Sequence, residues 1–311
     1  MEIHVGSWAR WAGAVALAGA LSAVSAHAEA PSHADPEAAV AAFRAALEKG
    51  DDGSALVELL GPEHRSELIG GDPAEARLTL DRLRNDAKEA LRFEPEGPDR
   101  GVLLIGTEAW PMPIPLVKAG EAWRFDTAEG LEEIHDRRVG EHELAAIELA
   151  RDFVAAQLEY AGADRDGDQV LEYAQRLLSE SGTQNGLYWP DSTGDDPSPF
   201  GEFVARADAS GYRQQQRLGD PYRGYFFRVL TKQGPTPPGG AYEYVINGNM
   251  IAGFALLAWP AEYGVSGVMT FAVNHQGRVF QRDLGPDTPN LVSAMQAYDP
   301  GEGWSDITDT D

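Results

Sequence analysis

The chain has 311 residues, with 50 acidic side chains against 25 basic ones, a formal net charge of −25 and no cysteine. The missing cysteines exclude disulfides, thiol catalysis and thiolate metal sites, so stability has to come from packed cores. The charge disfavours nucleic acid and anionic lipid headgroups, which are bound through lysine and arginine, and favours basic partners or divalent cations. Acidity of this size also keeps an exported protein soluble.

The N-terminus sets the expected address. Arg10 precedes an uncharged apolar run from Trp11 to Val24, and Ala26-His27-Ala28 offers small residues where a signal peptidase reads them. Residues 1–28 are expected to be a secretory signal, with Glu29 as the mature N-terminus and the periplasm or exterior as the location. Cleavage there removes Glu2 and Arg10, one charge of each sign, and leaves the net charge unchanged. No cysteine follows to carry a lipid, and no later stretch has the ~18 to 20 apolar residues of a membrane span.

A short polar lead, residues 29–34, precedes a helix start at Asp35-Pro36-Glu37: an N-cap acceptor, proline at the first position and an acid in the first turn. Val40, Phe43, Ala46 and Leu47 repeat at helical spacing up to Gly50. A second short helix is expected from Asp51 to Leu60, and a polar third from Asp72 to Ala90. Val102–Ile105 and Trp123–Phe125 read as strands, with a hairpin over Lys118–Trp123. The prolines of Trp110-Pro111-Met112-Pro113-Ile114-Pro115 confine that segment to a sheet edge or an extended crossing. Helices followed by strands predict a small α+β domain over 35–138. Its layout resembles the cone-shaped fold of nuclear transport factor 2 relatives.

A connecting helix is expected over Ala128–Arg138, punctuated by Gly140, and a longer one over Glu141–Tyr160. In the longer helix Leu144, Ile147, Val154 and Leu158 form one stripe, with Leu149, Phe153 and Tyr160 beside it. A further helical piece is expected from Gln169 to Leu178, and Ser181–Gln216 reads mostly as loop. Strands then follow at Gly224–Thr231, Ala241–Ile246, Met250–Trp259, Val265–Asn274 and Arg278–Asp283. Gly234–Gly240, Asn247-Gly248 and His275-Gln276-Gly277 are their hairpin connections. The second domain is placed at 139–300, with an acidic tail at 301–311. The fold class is α+β throughout, with mainly antiparallel sheet.

The mature chain resembles the domain-of-unknown-function 2950 family of exported bacterial proteins. The residues carrying this are Trp110–Lys118, Trp123–Thr127, Asp164–Asp168, Gly186–Pro190 and Trp259–Gly267. The C-terminal half also resembles the head of type IV pilins and pseudopilins. That likeness rests on Ala156-Gln157-Leu158-Glu159-Tyr160, Tyr173–Leu177, Gly224–Phe227, Ala258–Gly267 and Phe271–Asn274 with Gly277. Pilins carry an apolar polymerisation stem at the start of their helix, whereas here a whole domain precedes it.

The sharpest chemical signal is Asp164-Arg165-Asp166-Gly167-Asp168 with Glu172. Alternate carboxylates converging inside a turn suit a hard dication with oxygen ligands, and calcium is the candidate cofactor. Two positions depart from an EF-hand loop: the sixth is Gln169 where that loop has glycine, and the twelfth is Gln175 where it has a bidentate glutamate. Unfilled, the loop is an acidic turn. His135 and His142 are seven apart among Glu132, Glu133, Glu141 and Glu143, but lack HExxH-like spacing. His275 is expected exposed in a hairpin loop, and Ser266 lacks the nucleophile-elbow pattern. Trp110, Trp123, Tyr188-Trp189, Trp259 and Tyr263 form either an aromatic platform for sugar or peptide, or core packing.

The expected function is a non-enzymatic binding or assembly protein of the bacterial envelope, with an envelope protein or glycan as partner. The alternative is an extracytoplasmic hydrolase acting on polysaccharide or peptide.

Overall fold

The computed structural model describes residues 30–49, 52–70, 72–190, 197–201 and 221–308. The expected signal peptide, 1–28, and part of the Ser181–Gln216 loop lie outside the described residues. Within them the chain is α+β, with helices leading and antiparallel sheets following. No described helix is long and apolar enough to cross a membrane.

Helix α1 (Pro36–Glu48) starts as its sequence dictates, with the Asp35 carboxylate accepting from the Ala38 N–H at 2.7 Å. Helices α2 (Ser54–Leu60) and α3 (Arg65–Ile69) are short. Helix α4 (Pro73–Glu89) is capped by Asp72, which accepts from the N–H groups of Ala74 and Glu75. The first sheet comprises β1 (Leu91–Pro95), β2 (Arg100–Ile105), β3 (Trp110–Pro111), β4 (Leu116–Ala119) and β5 (Ala122–Phe125). Strand β2 pairs with β1 along one edge and with both β3 and β4 along the other, so the proline-rich segment is a broken edge strand, as the sequence requires. Strand β1 went unread although Leu91 and Phe93 alternate with Arg92 and Glu94, a five-residue strand pattern directly abutting the end of α4; Leu91 and Phe93 pack on the first core. The lead also has a place: His33 and Trp123 exchange two 2.7 Å backbone hydrogen bonds beside β5. Phe43, Leu47, Leu103, Ile105, Ile114, Leu116 and Phe125 form this half's core.

Helix α5 (Thr127–Tyr160) runs unbroken for 34 residues, about 51 Å at 1.5 Å per residue. The interruption expected at Gly140 is absent, and the boundary expected between 138 and 139 falls inside this helix. A glycine costs a helix about 1 kcal/mol relative to alanine, too little to break one held by packing on both flanks. Ile134 packs on the first core, whereas Leu149, Ala150, Phe153, Ala156 and Tyr160 belong to the second. The buried face is not the expected stripe. His142, Ala146, Leu149, Phe153, Ala156 and Tyr160 are covered, while Leu144 and Leu158 are 66% and 57% exposed.

The second sheet has the order β14-β13-β12-β11-β6, all antiparallel. Its strands are β6 (Tyr225–Leu230), β11 (Ala255–Pro260), β12 (Met269–Asn274), β13 (Val279–Asp283) and β14 (Ser305–Asp306). The hairpin expected across Gly234–Gly240 is present but short, and β6 itself pairs with β11, because β11 is buried along nearly its whole length and needs partners on both edges. The intervening chain forms two small ribbons, β7 (Lys232–Gln233) with β8 (Tyr242–Glu243) and β9 (Val245–Ile246) with β10 (Asn249–Met250). The second turns on Asn247-Gly248, both at positive φ, as a two-residue hairpin demands. Helix α6 (Thr288–Ala294) follows the sheet's fourth strand. The expected acidic tail is tied down as far as Thr308, since β14 pairs with β13 and Ile307 packs on the core.

The helix makes opposite demands of its two glycines. A Cβ at Gly140 would meet nothing, whereas one at Gly130 would lie 2.8 Å from the Pro113 carbonyl oxygen and 2.9 Å from Ile114. Gly140→Ala is therefore expected to stabilise the protein by about 0.5–1 kcal/mol, and Gly130→Ala to destabilise it. Urea midpoints at constant m-value measure both; a loss of stability in Gly140→Ala contradicts a continuous helix.

Candidate functional site

Helix α5 ends at the candidate loop, and its last turns position the segment beyond it. Gln157 is fully buried and its amide exchanges two hydrogen bonds, each 2.8 Å, with the N–H and C=O of Ala174. One turn on, the Tyr160 hydroxyl donates to the Gln184 carbonyl at 2.8 Å. The helical piece expected over Gln169–Leu178 is absent, because tertiary partners take its backbone. Ala174 bonds to Gln157, and the Tyr173 N–H donates to the Met250 carbonyl at 2.8 Å.

Asp164, Asp166 and Asp168 do converge: one carboxylate oxygen from each lies within 4.8 Å of the others, and all three residues are exposed. An ion bonded to oxygens at about 2.4 Å needs ligands no further apart than twice that length, so the three fit a shared calcium. Backbone donors hold the turn together. The Asp164 carboxylate accepts from the N–H groups of Gly167 and Gln169 at 2.7 and 2.9 Å, and these donors hold its titration below the usual carboxylate range. Gln169 adopts φ 71°, the left-handed turn that glycine usually provides, so lacking the glycine has not prevented the turn.

Glu172 does not join the other three. Its carboxylate accepts from the Met250 N–H at 3.1 Å. Burial pushes its titration up, against that hydrogen bond, and repulsion from Asp166, Asp168 and Asp164 adds to the rise. Asp168 is shared between roles: one oxygen accepts from the Val170 N–H at 2.8 Å, and the other from the Asn249 amide at 2.6 Å. Gln175, at the position where a bidentate glutamate was sought, donates to the Gly248 carbonyl at 2.6 Å. The segment from Asp168 to Gln175 is thus fastened along the β9–β10 ribbon.

Between this segment, the ribbon turn and residues 182–185 lies an open cleft of about 640 Å³. Asp166 and Glu172 reach its wall, as do Arg165 and Arg176, so it presents charges of both signs. The Arg165 guanidinium lies over the rings of Tyr160 and Trp189 at 5.8 and 5.3 Å, and Arg176 pairs with Glu180.

The other candidates have structural occupations. The proposed aromatic platform is dispersed. Trp123 and Trp189 are buried in different cores, Trp110 lies under Arg137, and Trp259 packs with Phe226 and Arg228. His275 is half-buried, edge-on to Tyr244 and Phe254, and burial lowers its titration. The Ser266 hydroxyl donates to the Gly224 carbonyl at 2.8 Å and accepts from the Glu262 N–H at 3.0 Å. His135 and His142 share one helix, but both ring nitrogens of His142 are engaged, with Ser266 and Glu75. Gln157 and the Glu75–His142 pair were invisible to motif reading, since their partners are distant backbone groups or a residue 67 positions away.

Residues 31–307 match the family model for a protein of unknown function, DUF2950. The chain belongs to the DUF2950 family. No curated protein and no solved structure matches it. The acidic loop, its fastening ribbon and the cleft all lie inside the span that matches DUF2950.

A left-handed conformation costs a non-glycine residue about 1 kcal/mol, so Gln169→Gly is expected to raise stability by up to about that amount. Urea unfolding measures it, and a loss of stability contradicts the turn at Gln169.

Proposed function

We propose that this DUF2950 protein is a non-enzymatic binding or assembly module of the bacterial envelope, acting outside the cytoplasm through the cleft beside its acidic loop. The cleft carries the proposal: about 640 Å³, open, bearing both signs of charge, with one wall fastened to α5 and to the β9–β10 ribbon. Such a wall orients polar ligand groups without reorganising, which favours binding. The hydrolase alternative gains nothing from Ser266, whose hydroxyl is occupied by backbone groups.

The test is retention of purified envelope glycan and peptide fractions by the full chain, compared with Thr183→Trp, which fills the cleft from its rim. Retention by the wild type that is lost in the filled variant supports the proposal. Equal retention by both proteins, or release of new reducing ends or amino termini by the wild type, overturns it.

Calcium is the proposed occupant of Asp164, Asp166 and Asp168, with Glu172 supporting the wall rather than ligating. Calcium bound to the folded chain alone, at a hundredfold excess over its dissociation constant, adds about 2.7 kcal/mol of stability. The thermal midpoint is expected to rise with calcium, fall with chelator and respond less to magnesium, which prefers a small octahedral shell with retained water. Matched ionic strength separates this from general screening of a polyanion. Asp166→Asn should remove the calcium-specific part; an equal response in both proteins contradicts metal binding.

A further inference from the structure

We propose that His142 is a pH-dependent clamp that holds the N-terminal helices against the C-terminal sheet. The residue is 4% exposed, and each ring nitrogen faces an oxygen acceptor. Nδ1 lies 2.8 Å from the carbonyl oxygen of Ser266, between β11 and β12, and Nε2 lies 2.9 Å from a carboxylate oxygen of Glu75 on α4. An imidazole donates from both nitrogens only when protonated. The positive ring therefore joins α4, α5 and the β11–β12 connection at one point.

Loss of the proton leaves a lone pair facing one of those oxygens, so one of the two bonds becomes a repulsion. On the Nδ1 side there is no room for a replacement donor. A Cβ at Gly224 would lie 2.6 Å from Nδ1, so even the backbone opposite is at contact distance.

The charged groups around the ring come from every element packed on it. From α4, Glu75 pairs with the ring, and Arg82 lies 3.5 Å from Glu141 of α5. From α5, Arg138 is 3.8 Å from the other Glu75 oxygen and donates to the Glu67 carbonyl of α3 at 2.9 Å. Glu143, next along α5, accepts from the N–H groups of Val268 and Met269 at 2.9 Å each, so it is directed to the sheet. On the sheet side stand the Ser266 carbonyl and the hydrogen-bonded Glu262 N–H. Burial opposes the charge on the ring, but Glu75 and the Ser266 carbonyl outweigh burial and Arg138, and the ring titrates above its ordinary 6.5.

A histidine raised on folding contributes stability that is complete below 6.5 and is lost as pH rises through the raised value. The clamp is closed in mildly acidic medium and loosens in alkaline medium.

The experiment uses the full chain. Imidazole nitrogen NMR reads the His142 titration directly, and hydrogen exchange, corrected for its intrinsic pH dependence, reads protection around Ser266–Met269. A wild-type midpoint above 6.5 is expected, together with a fall of about one pH unit or more in Glu75→Gln. Protection should drop across the wild-type midpoint, and the drop should shift to lower pH in Glu75→Gln. Glu75→Gln keeps the packing volume, and His142→Gln, which cannot change charge, should show no such step. A wild-type midpoint at or below 6.5, an unmoved midpoint in Glu75→Gln, or protection independent of pH overturns the clamp.

Discussion

The side-chain amide of Gln157, wholly buried, gives both its donor and its acceptor to the backbone of Ala174. A buried peptide group left without partners costs about 1–3 kcal/mol, so this exchange fixes where the chain runs after α5. It holds Tyr173 against Met250, and from there the ribbon contacts of Asp168, Glu172 and Gln175 fall into register. The acidic loop spans the distance between the helix end and that anchor, and the cleft is the space left beside it.

The same device recurs along α5. Thr127 donates to the Leu60 carbonyl at one end, Arg138 and His142 reach α3, α4 and the β11–β12 connection in the middle, and Glu143 takes two N–H groups at the head of β12. Apolar packing gives each half its own core, while polar side chains of one helix satisfy backbone groups in both. The helix thus does more than connect. It fixes how the two sheets and the loop are arranged around it.

Local and tertiary chemistry separate cleanly in what the sequence made legible. Caps at Asp35 and Asp72, the proline-broken edge at Trp110–Pro111 and the Asn247-Gly248 turn are local chemistry, and each appears where local rules put it. The three aspartates likewise meet because their spacing is local. Apart from β1, the failures are tertiary. Gly140 sits in an unbroken helix because packing outweighs its small penalty, and 169–178 is not helical because Gln157 and Met250 capture its backbone. Glu172 has the spacing of a ligand but lies outside the three-aspartate cluster, with its carboxylate held to the Met250 N–H. Dispersal of the tryptophans between two cores was equally beyond a reading of residue types.

The central claim, that α5 positions the loop and cleft wall through a buried amide, is tested by amide hydrogen exchange over residues 170–176 in Gln157→Leu. Leucine keeps most of the volume but offers the Ala174 backbone no partner. Loss of protection confined to this segment and the β9–β10 ribbon, with the first sheet unchanged, is the predicted result. Protection of 170–176 equal to that of the wild type would contradict the account.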